Sequence, residues 1–172
     1  MHLGLTVDLQ TDPTDERQAE FDPPETIAAV RRALETLGHR VTLLGAAADL
    51  LQAGPHHCCD VDLIFNLAEG NDSRCREAWV PTWLEIFCIP YVGSDPLALM
   101  LGLDKVRTKQ LASAAGIPTP PWLSLAHPDL LPRELPWPFP VIVKPRYEGS
   151  GRGIDAGAVV HAPGALAARV AW

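Results

Sequence analysis

The run Asp62-Leu63-Ile64-Phe65-Asn66-Leu67 constrains the fold more than any other stretch of this chain. Its apolar side chains sit at consecutive positions rather than alternate ones. A strand with one wet face alternates, whereas a parallel strand covered on both faces does not. The run therefore predicts a parallel strand with helices packed on either side.

The neighbouring segments agree. Leu3-Gly4-Leu5-Thr6-Val7 reads as a first strand ending at Asp8, and Val41-Thr42-Leu43-Leu44 as a second. Residues 11–25 are acidic and broken by Pro13, Pro23 and Pro24, so they predict a loop. A helix should start near Pro24, because proline is tolerated in a first turn. Ile27, Val30, Leu34 and Leu37 then recur at helical spacing, and Gly38 stops the helix. Trp79, Trp83, Leu84 and Phe87 mark another helix, with the tryptophans expected in the core. Ile89-Pro90-Tyr91-Val92-Gly93 reads as a short strand and turn. Strands alternating with helices over residues 1–95 predict an α/β domain built on an open parallel sheet.

Residues 96–172 read as a second, smaller unit. Helices are expected over 95–101 and 104–115, the latter capped by Asp104 and closed by Gly116. Residues 117–140 hold eight prolines and read as a proline-shaped connection, with Trp122-Leu123-Ser124-Leu125 as a strand inside it. Residues 141–143 and 155–160 are expected as strands and 163–170 as a helix.

Composition excludes several functions. A chain of 172 residues with 47% hydrophobic and 20% charged residues is globular. A net charge of -7 argues against a nucleic-acid partner, which needs clustered Lys and Arg. No apolar run is long enough for a bilayer, and Met1-His2-Leu3-Gly4 lacks the basic flank of a signal peptide, so the expectation is a cytoplasmic protein without a membrane partner. The cysteines Cys58, Cys59, Cys75 and Cys88 form no C-x-x-C pair. His56-His57-Cys58-Cys59 offers ligand types, but adjacent residues converge poorly on one ion, so no metal site is assigned. No Ser-His-Asp or Cys-His set is legible.

The sharpest chemical signal is the stretch from Phe139 to Ile154. Val141-Ile142-Val143 ends in Lys144, and Gly149, Gly151 and Gly153 alternate with Ser150 and Arg152. A fixed cation beside backbone that can wrap an anion suits a phosphate. A hairpin turn would also collect glycine, so this loop carries two readings. It is neither a Walker A loop nor a dinucleotide fingerprint. Lys105 sits at a helix start, an unfavourable place for a cation unless it meets a polyphosphate; otherwise it is a solvated lysine. Lys109 reads as exposed. Glu69 follows a strand's carboxyl end, where open sheets bind ligands, and is placed to meet a substrate amine or to orient a loop; Asp8 has similar geometry. Asp12, Asp15, Glu16 and Glu20 read as a solvated acidic face.

Four segments in order resemble the amino-terminal portion of the D-alanine–D-alanine ligase family, within the ATP-grasp superfamily. They are Phe65-Asn66-Leu67 leading to Glu69-Gly70; Leu84-Glu85 followed by Ile89-Pro90-Tyr91-Val92-Gly93-Ser94; Leu103-Asp104-Lys105 with Thr108-Lys109 and Gly116-Ile117-Pro118-Thr119-Pro120; and residues 139–153. The resemblance implies a Rossmann-like pre-ATP-grasp domain over 1–95 on the substrate side, followed by an incomplete α+β ATP-grasp subdomain over 96–172. It implies ATP-dependent ligation through an acyl phosphate, as in peptidoglycan precursor synthesis, with ATP and amino acids as partners and a homo-oligomer as one assembly.

By the same resemblance Lys105 and Lys144 hold ATP phosphates. Glu148, Gly149, Ser150, Gly151 and Gly153 close over the nucleotide, Ser150 has the catalytic, substrate-orienting role, and Glu69 and Gly70 bind substrate. The family implies Mg2+, but no acid in this chain matches its ligands. The departures fall in the amino-acid pocket. Asp8-Leu9-Gln10-Thr11-Asp12 replaces a glycine-rich loop, Glu69-Gly70 replaces His-Gly, and Gly151 replaces a second serine. The family also continues well beyond this length, so the chain alone is expected to be an inactive part of a ligase. The alternative is a binding or oligomerisation module that keeps the fold without catalysis.

Overall fold

The computed structural model describes residues 1–171. The chain divides into two compact units, Met1–Leu103 and Asp104–Trp172.

The first unit runs β1 (His2–Val7), α1 (Pro24–Thr36), β2 (Arg40–Gly45), α2 (Ala47–Ala53), β3 (Leu63–Leu67), α3 (Trp79–Ile86), β4 (Tyr91–Val92) and α4 (Pro96–Leu103). Its sheet has the order β2-β1-β3-β4, and every neighbouring pair is parallel. The open parallel sheet expected from sequence is thus the observed one.

Alternation along β1 sorts its residues between two apolar layers. Leu3, Leu5 and Val7 join Val41 and Ile27 of α1 on one face. On the other, Ile64, Leu44 and Leu50 pack with Val80, Trp83 and Leu84 of α3. Gly4 points toward this second layer, where a Cβ would stand 2.4 Å from Leu44 Cδ1 and 2.5 Å from Ile64 Cδ1. Any side chain at residue 4 would displace that core. Pro81 is accommodated in α3 because it is the third residue of the helix, where no N–H partner is required.

Two expectations need amendment in this unit. The helix α2 has no counterpart in the sequence reading; Asp49 starts it by accepting the Ala46 N–H at 2.8 Å. The tryptophans also part company. Trp83 is 7% exposed and packs on Phe87 at 4.9 Å between ring centres, whereas Trp79 is 44% exposed. Trp79 begins the helix and faces outward between the buried Ala78 and Val80.

The second unit contains α5 (Lys105–Ala114), β5 (Val141–Ile142), β6 (Val159–Val160) and α6 (Pro163–Ala171). β5 and β6 pair antiparallel, Val141 opposite Val160 and Ile142 opposite Val159. One face of this ribbon is sheltered, with Val160, Ala158 and Leu166 buried. Ile142 and Val159 are 50% and 43% exposed on the other.

The strand expected at Trp122-Leu123-Ser124-Leu125 is not formed. Pro120 and Pro121 lie just before it, and proline cannot donate to a ladder. Strand 155–160 shrinks to β6, because Asp155 accepts the Gly157 N–H at 2.8 Å and turns Ala156–Ala158 into a 3-10 helix. Lys109 is not the exposed lysine expected. Its Nζ donates to Thr119 Oγ1 at 2.8 Å and to the Pro120 carbonyl at 3.0 Å, fastening the start of the proline-rich connection to α5.

Candidate functional site

The sheet order reverses between β1 and β3. The chain leaves β1 for β2 on one side and later builds β3 and β4 on the other. At such a switch point the connections diverge and leave a crevice outside the carboxyl ends of the strands. Asp8 follows β1 and Glu69 lies just after β3, so both candidates from sequence fall there.

Asp8 ties the two strand ends together. Its Oδ2 accepts the backbone N–H of Glu69 at 3.0 Å and of Gly70 at 2.8 Å. Beneath them Thr6 Oγ1 donates to Asn66 Oδ1 at 2.7 Å, and the same oxygen accepts the Ala68 N–H at 3.2 Å. Gly70 has φ +70, and a Cβ on it would stand 2.9 Å from both Cβ and the carbonyl oxygen of Arg76. Only glycine suits that conformation at that approach.

The acidic run of residues 12–20 is not uniformly solvated. Glu20 turns inward and accepts from Arg76 NH2 at 2.6 Å, with side chains only 3% and 2% exposed respectively. Carboxylate oxygens of Glu20, Glu69 and Glu77 lie within 4.8 Å of one another. Burial, seconded by the charges of Glu77 and Glu20, pushes the Glu69 carboxyl up to about 7, while Arg76 pulls the other way. Glu69 therefore sits between its charged and neutral forms near neutral pH. A cluster of three carboxyl groups against one guanidinium has an excess of acidic groups, which suits an ammonium group.

Sequence reasoning pointed to Glu69 and Gly70, and it gave no place to Arg76 or to the burial of Glu20. The available signal was weak: an arginine just ahead of the apolar segment 79–87, in a loop following a strand.

In the second unit the start of α5 is fastened to the root of the glycine-rich loop. Asp104 caps the helix, accepting from Val106 N at 3.0 Å and Arg107 N at 3.2 Å. It also takes a fork from Arg146, both nitrogens at 2.7 Å, which holds its carboxyl down at about 2. Arg146 in turn lies 4.8 Å over the Tyr147 ring. The Lys105 backbone N–H donates to the Arg146 carbonyl at 3.2 Å, and its Nζ donates to the Glu148 carbonyl.

The loop folds on itself. Ser150, Gly151 and Gly153 have φ of 46, 80 and 69, and Gly149 begins the turn closed by Arg152 N at 2.9 Å. A Cβ on Gly153 would stand 2.6 Å from Pro145 Cγ. Arg152 pairs with Glu148 at 3.2 Å, and Arg169 of α6 donates to the Gly153 carbonyl at 3.0 Å. Lys144 is exposed beside β5. The loop joins the two strands of a hairpin, as one reading of its glycines expects.

No family model matches the chain. A D-alanine–D-alanine ligase of Marinomonas sp. (strain MWYL1) is 39% identical over 135 residues, covering 73% of this chain and 40% of that protein. The corresponding ligase of Methylococcus capsulatus is 42% identical over 101 residues, 58% of this chain and 32% of that one. The chain resembles the amino-terminal portion of D-alanine–D-alanine ligases.

The ligase likeness extends to the fold. A D-alanine–D-alanine ligase of Bacillus anthracis complexed with ATP superposes with a TM-score of 0.70 at 21% identity, over 98% of this chain and 53% of that one. That of Helicobacter pylori gives 0.63 at 19% identity, over 99% and 62%. This chain spans less than half the length of the two ligases matched by sequence.

Proposed function

We propose that this chain is the substrate-side sheet and part of the nucleotide-binding subdomain of an ATP-dependent carboxylate–amine ligase acting on amino acids. In that reaction a substrate carboxylate oxygen attacks the γ-phosphorus of ATP and ADP leaves. The amine of a second substrate then attacks the acyl carbon, phosphate leaves, and the amine loses a proton. Little of this is covalent work for the protein. Cations and backbone donors held in place stabilise the charge on the transferred group.

The observation that carries the reading is the tether of Lys105 to the Glu148 carbonyl, backed by the Asp104–Arg146 fork. It joins two sequence segments that were matched to the family separately. Lys105 and Lys144 are assigned to the ATP phosphates, with Glu148, Gly149, Ser150, Gly151 and Gly153 as the closing loop. Ser150 orients the amino acid, and Glu69 with Gly70 receives the substrate amine. D-alanine is the substrate named by the matched relatives.

Calorimetry with ATP tests the nucleotide half. Lys144→Ala should weaken binding about tenfold, as loss of a charged hydrogen bond does; unchanged isotherms would sink the assignment. Coupled ADP release with D-alanine and a panel of amino acids tests ligation. The expectation for this chain alone is nucleotide binding without turnover.

The half-exposed ribbon of Ile142 and Val159 favours a second reading, in which this unit docks on a partner or on another copy. A monodisperse monomer by light scattering counts against it.

A further inference from the structure

We propose that Arg76 is the positioning residue of the Glu69 site, fixing both where that carboxyl stands and which charge it carries. The inference rests on reading Glu69 as the carboxylate that faces the substrate amine.

The geometry has three parts. Arg76 NH2 holds Glu20 at 2.6 Å, with both side chains almost wholly enclosed. Glu20 belongs to the segment between β1 and α1, which folds back on the residues just after β1 by Gln10 N to the Asp22 carbonyl at 2.9 Å and Asp22 N to the Asp8 carbonyl at 3.3 Å. Arg76 thus fastens that segment to the loop after β3. Its Cβ and carbonyl also form the floor on which Gly70 rests. Asp8 holds the Glu69 and Gly70 amides from the other side. The backbone carrying Glu69 is therefore clamped between Asp8 and Arg76.

Charge follows from the same contacts. Glu20 from the β1–α1 segment, Glu77 beside Arg76, and Asp22 all press negative charge on Glu69, and Arg76 opposes them. An enclosed guanidinium is a strong counter-charge, because little water screens it. Without it Glu69 would take up a proton at higher pH and lose its attraction for an ammonium. The residue has no direct part in the chemistry; it acts through Glu69.

The test is a carbon-13 NMR titration of the Glu69 carboxyl in the whole chain, without nucleotide or amino acid. Arg76→Met should raise the midpoint by about one unit or more. Arg76→Lys, which keeps the charge, should restore it to within about half a unit of the wild type. Glu20→Gln removes a negative neighbour and should lower it. A midpoint unmoved by Arg76→Met, or moved as far by Arg76→Lys, overturns the proposal. Should Arg76→Met fail to fold, the double variant Glu20→Gln/Arg76→Met is compared with Glu20→Gln, and equal midpoints overturn the proposal. Because no substrate is present, a failed ligation assay leaves this result standing, and an immobile midpoint leaves the ligase reading standing.

Discussion

Glu20 and Arg76, 56 residues apart, meet at 2.6 Å in the interior of the first unit. A buried pair of this kind is worth little against apolar replacements of similar volume, yet breaking it leaves one charge uncompensated. Arg76→Met should therefore destabilise the unit by about 3–5 kcal/mol. Combining it with Glu20→Met should recover much of the loss. Urea denaturation of the two variants measures the difference. Equal midpoints would show that the pair is not the unit the geometry describes.

Asp8 offers one oxygen to two amides, and its removal leaves both donors without that acceptor. Asp8→Ala should cost about 1–3 kcal/mol, and Asp8→Asn less because it keeps an acceptor. Hydrogen exchange at Glu69 and Gly70 should quicken in the alanine variant before the β3 amides respond. Uniform quickening across β3 would count against a local clamp.

Burial first, and then the charges of Glu77 and Glu20, push the Glu69 carboxyl up to about 7 from its usual 4.5. The fold therefore binds this proton more tightly than the unfolded chain does. The stability it brings is fully present below pH 4.5 and is lost as pH rises through 7. Glu69→Gln, which cannot ionise, should melt a few degrees higher than wild type at pH 8 and almost equally at about pH 4. A difference that stays constant between these pH values would rule out ionisation as its cause.

Asp104 behaves in the opposite sense. Its carboxyl is held at about 2, against 3.8 for a free group, first of all by Arg146. This contribution is complete above pH 3.8 and disappears as pH falls through 2. Wild type should lose stability across that window, and Asp104→Asn should show a flatter profile there. Asp104→Ala should cost about 0.5–2 kcal/mol from the lost cap alone. Acid titration followed by circular dichroism separates the two.

Local pattern explains what the sequence revealed. Leu63 to Leu67 announce a covered parallel strand because burial on both faces is written in consecutive residues. Asp104 announces a cap because its acceptors lie two and three residues away. The glycines of the second unit announce the loop between β5 and β6 for the same reason.

Apart from the short helix α2, most of the failures are long-range or competitive. Glu20 looks solvated until Arg76 arrives from 56 residues along the chain. Lys109 looks solvated until Thr119 and Pro120 fold back on it. Trp122 to Leu125 have the composition of a strand but lie among prolines, and strand propensity stabilises little without a partner. The clamp on Glu69 combines residues 8, 20, 69 and 76, and no window of sequence contains all four.

The distribution of lysine has a practical consequence. The chain has three, Lys105, Lys109 and Lys144, and each falls in the second unit. An amine-reactive label, once the signal of the N-terminal amine is subtracted, thus reads that unit with no lysine background from the first. Lys144 should react first, since Lys105 and Lys109 each donate to a carbonyl. The order of labelling is a chemical fingerprint of the α5–loop tether, and ATP that protects Lys144 would register in it directly.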